Sequence, residues 1–237
     1  MTALPWLAPF PLTFQEGVEE LLARGGRRVA CFDADNTLWT EDIGEAFLRW
    51  LAAGDLLPLA PGPLWAEYEA RVRADRTAGY TWAVQVMAGL AEADVARWTR
   101  QMAAAWPNVR PAMAALLEGL AGAAVETWIV SASNDWIVRA AAPRLGVPPE
   151  RAIGIRVEVA SGRLTDRPVR PVPCGAGKVE ALFARTGIRP DLAAGDGLGD
   201  LELLEDARLP LVVDLRDASP SPLHRVALQR GWPVWTA

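Results

Sequence analysis

The sequence has 237 residues, of which 51% are hydrophobic, and a formal net charge of −5. A chain of this length and composition buries a hydrophobic core and fits one domain of ordinary size with one inserted module, which excludes general disorder. The acidic balance and the scattered basic residues argue against a nucleic-acid partner, because such proteins concentrate positive charge on one face or tail.

The numbers of cysteines and histidines and the length of the apolar runs further restrict the class of protein. The two cysteines, Cys31 and Cys174, are too few for a disulfide framework and suggest no metal cluster, which fits a reducing compartment. The N-terminus does not resemble a signal peptide, and no later run approaches the roughly 20 apolar residues that span a bilayer. We therefore expect a cytoplasmic protein without a membrane partner. Because His224 is the only histidine, we expect carboxylates to carry the chemistry.

The predicted elements begin with a buried strand. Residues 28–32 form an apolar run of strand length that ends at Asp33. From Glu41 to about Trp106 the apolar residues recur at helix spacing, with Pro and Gly between the segments. We interpret residues 41–107 as a helical cap domain that is inserted into a core.

Strands and helices alternate after this insertion. We predict strands at 125–130, 153–159, 192–195 and 209–213, with a hairpin turn at Gly162. Helices are predicted at 113–120, 136–145, 178–186, 201–206 and 222–230. This order indicates an α/β fold, a doubly wound parallel sheet formed by residues 1–40 and 108–237.

Polar residues follow three of the predicted strands. Asp33 and Asp35 come after the first strand, Ser131 after the second, and Asp196 and Asp200 after the strand at 192–195. In an open parallel sheet, ligands bind beyond the carboxyl ends of the strands. These residues are therefore the first candidates for catalysis.

Each of these features also has a purely structural explanation. A single Asp-x-Asp commonly starts a turn, Asp200 suits the N-cap of the helix that follows it, and Ser131 suits a helix cap. Lys178 begins a helix after a Gly-rich turn, and lysines in such positions are usually only solvated, although the helix dipole disfavours lysine there. The set in this order, rather than any one member, favours a function.

Taken in order, Asp-x-Asp-x-Thr at 33–37, Ser131, Lys178 and Gly-Asp-x-x-x-Asp at 195–200 resemble the four signature motifs of the haloacid dehalogenase superfamily. The resemblance spans essentially the whole chain. The long helical insertion looks like the subclass that contains phosphoserine phosphatase and phosphorylcholine phosphatase. Haloacid dehalogenases proper and transport ATPases lack a carboxylate at the position of Asp35, so the resemblance implies a phosphoric monoester hydrolase.

The resemblance also implies the roles of the four aspartates. Asp33 would attack phosphorus and form an aspartyl phosphate, while Asp35 would protonate the leaving oxygen and then activate water. Mg²⁺ would be held by Asp33, the backbone carbonyl of Asp35 and Asp196, with Asp200 steadying this shell.

The phosphate contacts follow from the same resemblance. Ser131 and Lys178 would bind the transferring oxygens, where positive charge stabilises the transition state. The hydroxyl of Thr37 would support the loop that faces the substrate.

The local match looks closest to phosphorylcholine phosphatase, in residues 32–39 and in the cap segment 80–89. Glu45 falls where that family has a glutamate that serves the alkylammonium group, and Asp42 takes the place of the acidic residue with which phosphoserine phosphatase meets its substrate. Alternatively, Glu45 is an acid in the first turn of a helix, stabilised by the helix dipole.

Aromatic residues are further candidates for contact with the substrate. Of the 11 tryptophans, Trp39, Trp65 and Trp82 are the candidates for cation–π contact with a substrate. We expect a small-molecule phosphate monoester, with a cationic ester such as phosphorylcholine or phosphoethanolamine as the first choice. The alternatives are phosphoserine phosphatase and a protein that binds a phosphate ester without turnover.

Overall fold

The computed structural model describes residues 4–58, 63–106, 108–214 and 220–237. The strands in these residues are β1 (Val29–Phe32), β2 (Glu126–Asn134), β3 (Ala152–Ile155), β4 (Val157–Ala160), β5 (Arg163–Pro168), β6 (Leu192–Gly195), β7 (Leu209–Asp214) and β8 (Val234–Thr236). The helices are α1 (Leu12–Ala23), α2 (Ile43–Ala53), α3 (Leu64–Ala74), α4 (Arg76–Gln85), α5 (Glu92–Ala105), α6 (Pro111–Gly122), α7 (Asp135–Ala141), α8 (Ala176–Thr186), α9 (Leu201–Asp206) and α10 (Pro222–Arg230). None of the described helices is long and apolar enough to cross a membrane.

In the described residues, six strands form a parallel sheet in the order β3-β2-β1-β6-β7-β8. β1 lies between β2 and β6 and is buried along its whole length. Ala30 and Phe32 belong to one hydrophobic cluster, and Val29 and Cys31 belong to another, because successive side chains of a strand point to opposite faces. A strand covered on both faces requires a continuous apolar run, so the predicted α/β fold with a parallel sheet is confirmed.

Two of the predicted strands differ from the observed bounds by more than one residue. β2 continues to Asn134, past the predicted end at Val130, because a register shift lets its last residue pair with Ile155 of β3. The predicted strand at 153–159 is divided at Arg156, where the chain leaves the sheet to form the antiparallel hairpin of β4 and β5. The predicted turn at Gly162 connects these two strands.

Helices α2 to α5 lie between β1 and β2 in sequence, as the predicted insertion requires. The hairpin contacts this insertion. The amide of Gly89 donates to the carbonyl of Leu164 at 2.8 Å, the amide of Leu164 donates to Leu90 at 3.0 Å, and the amide of Glu92 donates to Gly162 at 2.9 Å. The inserted helices are therefore tied to a second segment that the predicted cap boundary, 41–107, does not include.

Candidate active site

The site lies at the carboxyl ends of β1, β2 and β6, which are neighbours in the sheet. Asp33 follows β1, and its amide donates to the carbonyl of Ala194 in β6 at 2.9 Å. Asp196 follows β6 directly. A pocket with a cavity volume of about 170 Å³ opens here, between this edge of the sheet and the inserted helices. The predicted motif residues therefore meet at one end of the sheet.

Lys178 is buried between two carboxylates in this site. Its Nζ lies 2.5 Å from Oδ1 of Asp33 and 2.5 Å from Oδ1 of Asp200. The exposed fractions of these three residues are 2%, 6% and 3%. Burial alone would lower the pKa of Lys178, but the charges of Asp200 and Asp33 raise it above its ordinary value. Lys178 therefore remains an ammonium and offsets the charge of its neighbours.

Asp33, Asp196 and Asp200 form a cluster whose carboxylate oxygens lie within 4.8 Å of one another. Burial, followed by the charge of Asp200, raises the pKa of Asp33 to about 7. Burial and the charge of Asp33 raise the pKa of Asp196 to about 8. Clustered carboxylates are the oxygen ligands that Mg²⁺ prefers, so this donor set fits a divalent cation.

Asp200 is turned into the site rather than used as a helix cap. Its Oδ2 accepts the amide of Asp196 at 3.2 Å and the amide of Gly197 at 3.1 Å. It occupies the N-cap position of α9 without a side-chain capping bond. The geometry thus favours the motif interpretation over the alternative of a simple cap.

The carboxylate of Asp35 accepts four hydrogen bonds. Its Oδ1 receives the indole Nε1–H of Trp39 and the amide of Ile43, each at 2.8 Å. Its Oδ2 receives the hydroxyl of Ser133 at 2.7 Å and that of Ser131 at 3.2 Å. The orientation of Asp35 is therefore set by donors from three parts of the chain.

Two acidic residues of the first inserted helix face the same pocket. Asp42 caps α2 by accepting the amide of Glu45 at 2.7 Å, and Glu45 accepts the hydroxyl of Tyr68 at 3.0 Å. Burial, with the charge of Asp35, raises the pKa of Asp42 well above its usual range. Burial also raises the pKa of Glu45, while the hydrogen bond from Tyr68 opposes this shift. Glu45 is thus an acid of the first helical turn and a pocket residue at once.

The described residues that line the pocket include most of the predicted site. These are Asp33, Asp35, Asp42, Glu45, Lys178, Asp196 and Asp200. Among the same described residues, Thr37, Trp82 and Ser131 do not line it. Thr37 and Ser131 are fully buried, with Thr37 donating to Asp196 at 3.4 Å and Ser131 to Asp35. Trp82 instead lies with its ring centroid 4.9 Å from the guanidinium of Arg71.

Several pocket residues were not selected from the sequence, and the polar ones among them include Tyr68, Arg76 and Ser133. Ser133 shares a face of β2 with Ser131, but this relation follows only once the strand is known to continue through both residues. Tyr68 and Arg76 belong to separate helices of the insertion, and no local pattern marks them as pocket residues.

A family model described as haloacid dehalogenase-like hydrolase matches residues 30–205, about three quarters of the sequence. The chain belongs to the haloacid dehalogenase-like hydrolases. The predicted superfamily and the prediction of a hydrolytic enzyme are thereby confirmed. The matched range contains the aspartate cluster, Lys178 and all of the inserted helices.

Relatives of this hydrolase agree with the family assignment. Histidinol-phosphatase from Neisseria meningitidis serogroup C (strain 8013) is 24% identical over 224 residues, which cover 88% of this chain and 98% of that protein. A protein of unknown function from Bordetella pertussis Tohama I matches the fold with a TM-score of 0.75 at 23% identity, over 90% of this chain and 99% of the other. A phosphoserine phosphohydrolase-like protein from Francisella tularensis subsp. tularensis SCHU S4 matches with a TM-score of 0.55 at 17% identity, over 79% and 87%.

Proposed function

We propose that this hydrolase is a Mg²⁺-dependent phosphatase that cleaves a small phosphate monoester through an aspartyl phosphate on Asp33. The observation that carries this proposal is the buried contact of Lys178 with Asp33 and Asp200 at the floor of the pocket. A carboxylate that is held in place beside a fixed positive charge is suited to attack phosphorus and to stabilise the charge on the transferring oxygens. The phosphatase names of the relatives agree with this reaction class.

In the first step, an oxygen of Asp33 forms a bond to phosphorus while the bond from phosphorus to the ester oxygen breaks. Asp35 gives a proton to the departing oxygen, so that the product leaves as a neutral alcohol. Lys178 contributes positive charge beside Asp33, where negative charge develops during the transfer.

In the second step, a water molecule attacks the phosphorus of the aspartyl phosphate. Asp35 takes the proton of this water, the bond from phosphorus to Asp33 breaks, and inorganic phosphate is released. Asp35 thereby returns to its starting protonation state, and Asp33 is regenerated.

Asp33, Asp196 and Asp200 are the side chains that would hold the metal ion, together with the backbone carbonyl of Asp35. When bound, the ion neutralises charge on the transferring oxygens and reduces the repulsion between an anionic ester and these carboxylates.

The substrate we propose is a phosphate ester of an amino alcohol. Glu45 and Asp42 bring carboxyl groups to the pocket that contains Asp33, and the rings of Tyr68 and Tyr80 line it too. Carboxylates and aromatic faces together attract an ammonium group. Phosphorylcholine, phosphoethanolamine, phosphoserine and histidinol phosphate all carry nitrogen two carbons from the ester oxygen, so this chemistry includes every substrate that the resemblance and the relatives suggest.

A specific observation favours phosphoserine as the second candidate. Arg76, in the first turn of α4, also lines the pocket. An arginine opposite an acidic pair would bind the carboxylate of phosphoserine while Asp42 or Glu45 meets its ammonium group. Phosphorylcholine and phosphoethanolamine offer no group for this arginine.

The test is phosphate release, with and without Mg²⁺, from these four esters, from propyl phosphate as an uncharged alkyl control, and from para-nitrophenyl phosphate. We expect Mg²⁺-dependent release, with amino alcohol esters preferred over propyl phosphate. Asp33→Asn should lower turnover below detection, whereas Asp94→Asn, on the surface of α5, should leave it unchanged. Full activity in Asp33→Asn would contradict the mechanism, and a folded wild-type protein that releases no phosphate would support the alternative of binding without turnover.

A further inference from the structure

We infer that Trp39 and Ser133 are positioning residues that hold the carboxylate of Asp35 from opposite oxygens, so that Oδ2 is the oxygen that exchanges the proton. The inference rests on the proposed function, because it concerns the residue that protonates the leaving group. It adds two residues to the site and assigns a separate task to each oxygen of Asp35.

Oδ1 of Asp35 accepts hydrogen bonds from N–H groups. Its two partners are the indole Nε1–H of Trp39 and the backbone amide of Ile43, each at 2.8 Å. Both groups are donors only, and neither can accept a hydrogen bond through the same nitrogen. A proton on Oδ1 would therefore face two N–H groups and cost at least one of the two hydrogen bonds, so this oxygen stays an acceptor through the reaction.

Oδ2 of Asp35, by contrast, has hydroxyl groups as its partners. Ser133 lies at 2.7 Å and Ser131 at 3.2 Å from this oxygen. A hydroxyl can rotate to donate to a carboxylate or to accept from a carboxylic acid. Oδ2 can therefore be satisfied in both protonation states. Ser133 also lines the pocket, which puts this oxygen on the side where an ester would lie.

Trp39 is enclosed by its neighbours, which makes its position rigid. Its side chain has no exposed surface, and its backbone bridges both Asp35 and Val109. A ring enclosed in this way is held in one orientation by its neighbours. The indole was predicted as an aromatic contact for a cationic substrate, but its N–H is committed to Asp35, and the fully buried ring has no surface to offer a ligand. Its contribution to catalysis would be made through Asp35 alone.

The experiment compares two esters in three variants. Trp39→Phe removes the N–H from Oδ1 and keeps most of the ring volume, and Ser133→Ala removes the hydroxyl from Oδ2. Trp98→Phe, on α5 outside the pocket lining, is the matched control for the loss of an indole. For each, kcat/KM is measured with the alkyl ester that the wild-type enzyme hydrolyses fastest and with para-nitrophenyl phosphate.

The two esters differ in their need for a proton. An alkoxide leaves only with protonation, whereas para-nitrophenolate leaves without it, and kcat/KM reports the step in which the leaving group departs. In Trp39→Phe and in Ser133→Ala, we expect kcat/KM for the alkyl ester, divided by kcat/KM for the aryl ester, to be lower than in the wild type by a factor of about 10 to 100. This is the size of effect that misplacing a proton donor produces. The ratio in Trp98→Phe should equal that of the wild type.

A purely structural role predicts a different result. Loss of packing would lower both rates together and leave the ratio unchanged, and that outcome would overturn the inference. If Trp39→Phe fails to give the wild-type circular dichroism spectrum, Ser133→Ala decides alone. A wild-type protein that hydrolyses neither ester would contradict the proposed function and this inference with it, whereas an unchanged ratio in an active enzyme contradicts the inference only.

Discussion

At the scale of single residues, Lys178 differs from every other basic side chain. The sequence contains 24 lysines and arginines, and Lys178 is the only lysine among them. Its ammonium group approaches Asp33 and Asp200 at 2.5 Å each, within almost complete burial. A compact point charge can meet two carboxylates on different segments at once, whereas the planar fork of arginine needs partners in its own plane. The geometry explains why an arginine-rich chain has a lysine here.

Glu45 leads to a prediction about pH. Burial raises the pKa of its carboxyl group, so Glu45 takes up a proton at a higher pH than an exposed glutamate does. As the pH falls through this raised pKa, the pocket loses the charge that attracts an ammonium group. We expect KM for the preferred amino alcohol ester to rise at acidic pH, while KM for propyl phosphate does not follow this trend.

The matched variant for this prediction is Glu45→Gln, which keeps the shape and removes the charge. It should raise KM for the cationic ester at neutral pH by about tenfold, corresponding to about 1.4 kcal/mol, within the range of charge-assisted contacts. Its KM for that ester should no longer rise at acidic pH. An unchanged pH profile in Glu45→Gln would assign the titration to another group.

At the scale of secondary-structure elements, the contact between α2 and β2 depends on a glycine. A Cβ atom on Gly44 would overlap Oγ of Ser133 and lie 2.8 Å from its Cβ. Because Oγ of Ser133 also donates to Asp35, Gly44→Ala would push the start of α2 away from Ser133 and Asp35. We expect a loss of about 1–3 kcal/mol in the free energy of unfolding, as overpacking generally causes, together with reduced phosphate release.

Gly122 supplies the control for this substitution. It ends α6, and a Cβ atom there would have no neighbour within 4 Å. Gly122→Ala should change the free energy of unfolding by less than about 1 kcal/mol, in the stabilising direction. Urea unfolding of both variants checks the pair, and equal effects of the two alanines would show that the contact with Ser133 is not the cause.

Most elements could be predicted because their signals are local. Apolar runs identified β1, β2, β3, β6 and β7, and Asp42 marked the start of α2. The short edge strand β8 was not predicted. The end of β2 could not be predicted, because Ser131 and Ser133 read as a loop until β3 is known to pair beside them. The contact of the β4–β5 hairpin with the inserted helices was also missed, since it joins segments some 75 residues apart, such as Gly89 and Leu164.

At the scale of the whole molecule, the aspartate cluster links stability to the metal ion. Asp33, Asp196 and Asp200 crowd carboxyl groups into a buried site, where their ionisation leaves negative charge that Lys178 only partly offsets. An ion that binds the folded state alone stabilises it by about 2.7 kcal/mol at a hundred times its Kd. We expect Mg²⁺ at this level to raise the midpoint of thermal unfolding by about 5–10 °C.

Asp196→Asn tests the origin of this effect. The variant keeps the size of the side chain and removes one of the clustered charges, so it should unfold at a higher temperature than the wild type without metal and respond weakly to Mg²⁺. A shift equal to that of the wild type would locate the ion elsewhere. The measurement needs no substrate and is independent of catalysis.

The division between core and insertion is also a property of the whole chain. Phe47 of α2 and Val95 of α5 belong to the same hydrophobic cluster as Phe32 of β1. A shared cluster cannot be inferred from periodicity, which shows that a helix has an apolar face but not what covers it. The motif residues could be predicted because a sheet brings the ends of its strands together, whereas Tyr68 and Arg76 reach the pocket through packing between helices. The cap boundary and the cytoplasmic location remain predictions.

Because the sequence contains one lysine, lysine-directed reagents and proteases act at a single known position. Within these 237 residues, reagents that acylate lysine have only Lys178 to attack, and a protease specific for lysine has a single bond to cut, in the first turn of α8. Lys178 is only 2% exposed, so its side chain is out of a protease's reach in the folded protein. Cleavage after Lys178 therefore requires this part of the molecule to open, so the rate of cleavage by such a protease measures the local opening of the candidate site.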